Sequence, residues 1–486
     1  MDRRRFLSRS ATVAIGAAAV GGPFQGLAAA DANAAADVVE STGADARHGK
    51  PGGYGPLKPV ADERDGAVRL HLPDGFRYRS FTPAGSPMTD GMPTPGKHDG
   101  MAAFRGRRGT TVLVRNHEVN GPVGAFGEAA RAYDPATGGG TTTVVVDRYG
   151  NVESSRVSLN GTQMNCSGGP MPWGTWVTCE ETVNGPDVGN DFTGADNSKL
   201  KQKHGYLFEV PADGTSSRVP IRGAGRFAHE AAVYDPITGA VYLTEDNFGF
   251  ASGFYRYLPP ISPWVGGRLR DGGRLQMLAV KGRPGTDLSA AQRPGAAYDV
   301  TWVDIDDPDP TFAPGTTNDQ AIQAVGNQGR AKGAALFSRL EGAYYQRGVV
   351  YFVSTQGGAT APGETAPDGF GDGRGQVWAY NTVTRRLRLV YESPGSARLD
   401  LPDNVTVSPR GTLVLCEDGD ADNFLRGLTV DGRIFDLARL EPVVGDAGAE
   451  FAGATFGPDA HTLYVNVQSR LGVTFAVWGP WHKGGF

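Results

Sequence analysis

Cys166 stands fifteen residues before Glu181, and the same interval separates Glu230 from Glu245, Glu341 from Gln356 and Asp403 from Asp418. One thiol and many carboxylates at a repeated spacing are the raw material of a metal site. If Glu118, Glu181, Glu230, Glu341 and Glu417 shared one opening, each like-charge pair ~4 Å apart would repel by about 4 kcal/mol at an effective dielectric near 20. A few such pairs exceed a domain's usual margin of about 5–15 kcal/mol. Such a site must protonate, spread into water or bind cations. Carboxylate oxygens favour Ca²⁺, Mg²⁺ or ferric iron, and the amides of Asn116 and Asn404 could add neutral oxygens. A thiolate at Cys166 calls for iron or zinc. Zinc fits poorly, because the chain has no HExxH, no CxxC and no clustered histidines. On composition alone Cys166 stays open between ligand and buried packing residue.

These side chains sit at the ends of six short β-branched or aromatic runs: TVLVRNHE (111–118), GTWVTCEE (174–181), AVYLTED (240–246), VVYFVSTQ (349–356), TLVLCED (412–418) and TLYVNVQ (462–468). A glycine-containing turn or a GPDAH segment precedes each, with another short run before most of those turns. Each unit reads as a β-hairpin whose two open ends lie together. At the first open ends stand Cys166, His229-Glu230, Arg339-Leu340-Glu341, Asp403-Asn404 and Glu450. Six such units predict an all-β fold, a six-bladed β-propeller with its polar hairpin mouths gathered around one axis. A Pro/Gly-rich insertion over about 257–337 carries one expected short helix at 318–325, with minor helices elsewhere. Two packed sandwiches are the competing architecture. Glycine makes up 71 of 486 residues, in keeping with many tight turns.

Residues 1–30 read as a twin-arginine signal, with Arg3-Arg4-Arg5-Phe6-Leu7, an apolar run and a small-residue cleavage site at 27–30. Residues 31–56 are expected to be a disordered linker, and 57–486 a single domain. Export to the periplasm or beyond follows, and no membrane span remains after signal removal. The net charge of −5, with mixed signs, excludes a nucleic-acid footprint. Three cysteines in an exported chain leave a free thiol; Cys179 and Cys416 read as packing residues inside strand ends. His98, His117, His204 and His229 read as hydrogen-bonded strand-end residues, and the run Asp304-Ile305-Asp306-Asp307-Pro308-Asp309 as a solvated turn. Nucleophile elbows, phosphate-binding loops and dinucleotide fingerprints are absent from the sequence.

The segments NHE (116–118), NCSGGPMPWGTWVTCEE (165–181), RFAHEAAVYDP (226–236), FSRLEGAYY (337–345), LPDNVTVSPRG (401–411), CEDG (416–419) and FAVWGPW (475–481) resemble the PhoX-type alkaline phosphatase family over nearly the whole mature chain. The resemblance implies a six-bladed propeller phosphatase with a mixed Fe³⁺–Ca²⁺ centre. It implies that Cys166 is a thiolate ligand to iron, and that Glu118, Glu181, Glu230 and Glu341 bind metals. It carries over Asn116 and Glu417 as further ligands, and Arg339 as the group that holds the substrate phosphate. Small phosphorylated organic esters are the expected substrates, the twin-arginine machinery the expected export partner, and a monomer the expected state. A calcium-dependent propeller lactonase or phosphotriesterase, and a non-catalytic calcium-stabilised binding propeller, are the alternatives.

Overall fold

The computed structural model describes residues 53–442, 448–469 and 472–486. The twin-arginine segment, its cleavage site and most of the expected linker lie outside the described residues. All six expected hairpins form. Their first strands are His98–Arg105, Asn165–Met171, His229–Tyr234, Leu340–Gln346, Pro402–Val407 and Glu450–Phe456. Their second strands are Thr111–His117, Thr175–Glu180, Val241–Glu245, Val349–Ser354, Leu413–Glu417 and Thr462–Gln468. Every pair is antiparallel, so each hairpin has a turn end and an open end. The second strands are buried on both faces: every residue of Thr175–Glu180, Val241–Glu245 and Leu413–Glu417 is inside. That explains why these runs read as continuous apolar stretches rather than as strict alternation.

The first strands adjoin one another in sequence order, and the second strands stitch them together. Asn116 Nδ2 donates to Cys166 O and Ser167 O at 2.9 and 2.7 Å. Thr244 Oγ1 donates to Glu341 O at 2.6 Å, and Thr355 Oγ1 to Pro402 O at 2.7 Å. Gly453 N donates to Asn404 Oδ1 at 2.8 Å, and Asn466 Nδ2 to Asp99 O. Glycine makes the approach possible. A Cβ on Gly342 would lie 2.7 Å from Val405 N and 2.8 Å from Asn404 Cα. The chain closes on itself: Arg77–Phe81 pairs with Val473–Trp478.

The arrangement is all-β and propeller-like, but the sheets are not six separate blades. Two hairpins belong to four-stranded sheets and one to a three-stranded sheet. The fifth lies in a six-stranded sheet extended by Lys58–Ala61 and Val68–Leu72. The third and fourth share a nine-stranded sheet. The cause is the insertion, which contributes strands as well as the expected helix. Its strands Arg274–Val280 and Ala297–Asp304 continue the third sheet, and Ala297–Asp304 then pairs with Arg386–Glu392 of the fourth. The expected helix is two, Asn318–Ile322 and Ala324–Ala331, the first started by a Thr317/Gln320 capping box. Tyr54, inside the expected linker, is anchored instead. Its ring meets Phe76 edge-on at 4.9 Å and its hydroxyl donates to Trp481 O. Among the described residues no helix is long and apolar enough to cross a membrane.

Candidate metal centre

A β-bulge stands at the open end of five hairpins. The register shifts between His98 and Met101, Asn165 and Gly168, His229 and Ala232, Leu340 and Ala343, and Pro402 and Val405. The first residue of each shifted segment is Asp99, Cys166, Glu230, Glu341 or Asp403. A bulge inserts one residue, bends the strand and re-aims the side chain. Here it recurs at equivalent places around the ring. In the sixth hairpin the shift comes later, and Glu450 stays paired with Gln468.

A second set of acids enters where the second strands end. Glu181, Asp246 and Asp418 each follow a glutamate that is the last residue of its strand. That preceding glutamate turns away and receives backbone donors. Glu180 accepts from Gly205 N and Tyr206 N, Glu245 from Gly253 N, and Glu417 from Phe424 N and Asp400 N.

Bulge and exit residues meet in three groups whose candidate ligand atoms lie within 4.8 Å of one another: Cys166 with Glu181 and Glu230, Glu230 with Glu341 and Asp403, and Asp403 with Asp418 and Glu450. Shared members join the groups into one row. Burial, then the Asp403 charge, pushes Glu230 well above the usual carboxylate range. Burial does the same to Glu181, Glu341, Glu450 and Asp99, each reinforced by acidic neighbours. Glu118 is pushed up to about 7 by burial against the pull of Lys97, and Asp403 to about 7 by burial and Asp418. Burial and then Glu230 raise the Cys166 thiol well above its ordinary value. Its Sγ lies 3.2 Å from His229 O, and no disulfide forms. The site disfavours anions as it stands, which is the electrostatic condition for holding cations.

A buried guanidinium faces this row. Arg339, itself in the left-handed region at φ 39°, donates from Nη2 to Asp246 Oδ2 and to Glu341 Oε1, both at 2.8 Å. Its Nε reaches both oxygens of Asp246 at 3.2 Å, and the Phe248 ring covers it at 5.3 Å. Burial opposes ionisation of Asp246, yet Arg339 holds its carboxyl below the ordinary value.

The structure therefore brings Cys166, Glu181, Glu230, Glu341 and Arg339 together, with Glu118 beside them through the charges of Asp418 and Asp246. It places Asn116 and Glu417 differently. Asn116 spends its amide on the first-strand backbone and its Oδ1 on Trp176 Nε1 and Thr178 Oγ1. Glu417 is taken up by Arg426 at 2.8 Å. Neither belongs to the three groups, and every oxygen they carry already has a protein partner. Sequence reasoning left Asp99, Asp246, Asp403, Asp418 and Glu450 unassigned; the fifteen-residue interval pointed to Asp403 and Asp418. Among the histidines, His117, His204 and His229 are hydrogen-bonded within the protein. Cys179 and Cys416 lie in the hydrophobic core. The acidic run is not simply solvated, since Asp309 accepts from Tyr206 Oη and Asp306 pairs with Lys332.

Fold and site together define an all-β, propeller-like protein with linked acidic clusters that could hold metal ions. The chain belongs to the alkaline phosphatase PhoX family, whose model matches residues 52–157 and 150–470. Among solved structures it is similar to Pseudomonas fluorescens PhoX in complex with vanadate, a transition state analogue, at 17% identity and a TM-score of 0.59, over 88% of this chain and 98% of that one. It is more distantly similar to a Xanthomonas campestris gluconolactonase, at 13% identity and a TM-score of 0.40, over 88% and 98% of the two chains. No curated protein sequence gives a significant match.

Proposed function

We propose that this protein is an exported phosphatase that hydrolyses small phosphate monoesters at an iron–calcium centre in the mouth of a six-bladed propeller. The observation that carries the reading is the buried to half-buried row from Cys166 to Glu450, set beside Arg339. The donor set fits the metals. Cys166, Glu181 and Glu230 combine a thiol with carboxylates, as ferric iron accepts, whereas the other two groups offer oxygen alone, as calcium prefers. Such ions, when bound, polarise phosphoryl oxygens and lower the pKa of bound water.

The protein's own contribution is position and charge. A phosphate dianion entering a row of bare carboxylates would be repelled, so neutralisation of the row is a condition of substrate entry. Arg339 then binds the phosphoryl group. Its Nε and Nη2 are committed to Asp246 and Glu341, and among the described residues none accepts from Nη1. A grip on two phosphate oxygens by the whole fork is thus half-occupied, and the Nη1 edge is the part presented to substrate. Asp246 and Glu341 fix the plane of the fork, and Phe248 covers one face. Positioning and charge neutralisation are what phosphoryl transfer chiefly requires. The ring of six first strands supports the six-blade reading, with the fused sheets as a local elaboration.

Metal analysis and hydrolysis of 4-nitrophenyl phosphate test this reading. Iron and calcium should co-purify, with a visible thiolate-to-iron band that Cys166→Ser removes. Arg339→Ala should keep the band and lose most of the activity. Calcium alone with lactone hydrolysis would replace this reading by the lactonase one, which has no use for Cys166.

A further inference from the structure

We propose that the face opposite the mouth docks on an anionic lipid bilayer. Strand register defines that face. Tyr234 pairs with Val241 and Leu258 with Arg274, so the loop 259–273 leaves from the turn ends, whereas His229 pairs with Glu245 at the mouth. The loop reads PPISPWVGGRLRDGG, and its short helix is Pro263–Gly266. Ile261, Trp264 and Val265 are 55%, 54% and 80% exposed. Large apolar side chains held side by side in water are costly unless something covers them. Three prolines restrict this loop, so little order is gained on insertion. Trp264 is braced from behind, its ring edge-on to Trp173 and Tyr234 at 6.4 Å each.

The second, independent observation is charge. Turns on the same side place exposed arginines at left-handed positions: Arg108, Arg347 and Arg385, with φ of 53°, 49° and 57°. Glycine or asparagine suits such positions better. Exposed Arg268 follows the apolar tip. Among the described residues none of these four arginines is held in an ion pair, whereas Arg148 and Arg433 on neighbouring turns are matched by Asp459 and Asp431, and the acid clusters of the mouth lie on the other side. A tryptophan–aliphatic wedge set among free arginines matches the interface of an anionic bilayer, where aromatic rings sit at headgroup level and cationic side chains meet phosphate. Like charges oppose the docking of a second copy on this face. Bilayer attachment would leave the mouth facing water.

Co-sedimentation of the purified protein with vesicles tests the proposal. Binding is expected to 1:1 phosphatidylglycerol:phosphatidylcholine vesicles at low salt, weakening about tenfold or more in 0.5 M salt, with none to phosphatidylcholine alone. Val265→Asp, at a site too exposed to disturb folding, should cut the bound fraction about fivefold. Arg347→Glu/Arg385→Glu should do the same, and both variants should hydrolyse a soluble ester as the parent does. Failure to sediment with anionic vesicles at low salt would overturn the proposal. So would Val265→Asp binding as the parent does, since charge alone would then explain the binding and a soluble polyanion would serve equally well.

Discussion

Glu417 and Asp418 are consecutive and face opposite ways. Glu417 is locked to Arg426 and to the backbone of the adjoining strand at Phe424 N, while Asp418 joins Asp403 and Glu450 in the acidic row. Their substitutions should separate cleanly. Asp418→Asn should lower bound metal and activity with little change in the stability of the metal-free protein. Glu417→Gln should keep the metals and lose about 2 kcal/mol of stability, the worth of a charged hydrogen bond. Metal analysis paired with urea unfolding distinguishes the two.

Asn116 offers a similar contrast. It ties the first hairpin to the second through Cys166 O and Ser167 O. Asn116→Ala should cost about 2–3 kcal/mol, because buried partners are left unpaired, and the folded fraction should retain its full metal content. Loss of a metal ion in folded Asn116→Ala would restore the ligand role first expected for it.

Removal of metal should make stability fall as pH rises. Glu118 and Asp403 are raised to about 7 in the folded chain by burial and acidic neighbours. Unfolded carboxyls titrate near 4. Their protonated form is therefore favoured by folding, so their contribution is full below about pH 4 and is lost as pH passes through 7. Chelated protein should show a falling Tm between about pH 4 and 6.5, and metal-loaded protein should not over that range.

His204 predicts a second, more alkaline limb. Although burial opposes it, the charges of Glu180 and Asp134 raise this buried imidazole to about 9. Its stabilising charge is complete below an unfolded pKa near 6.5 and disappears as pH rises through about 9. Stability should decline between about pH 6.5 and 9 in the metal-loaded protein, and His204→Gln should flatten that decline while lowering stability at pH 7. Denaturant unfolding across this range measures it.

The backbone junctions carry one more expectation. A methyl group on Gly342 would press on Val405 N and Asn404 Cα. Gly342→Ala should cost up to about 3 kcal/mol by overpacking and displace the neighbouring Glu341 and Asp403. Circular dichroism melting and metal content should fall together.

The sequence by itself determined the six hairpins, their turns and the acids at their open ends, because strand composition, glycine turns and a fixed out-and-back length are local properties of the chain. It also carried the Cys166–Glu181 pairing, since a hairpin of that length returns its end to its start. Only the tertiary structure decided which of two adjacent acids faces the mouth. In a strand neighbouring side chains point to opposite faces, and Glu180, Glu245 and Glu417 find backbone donors on the far side while Glu181, Asp246 and Asp418 do not. Likewise the bulges at Asp99, Cys166, Glu230, Glu341 and Asp403 arise where one first strand packs against the next, a contact between residues far apart in the chain. A one-residue change of register is invisible to composition, yet it turns each of these side chains toward the shared axis.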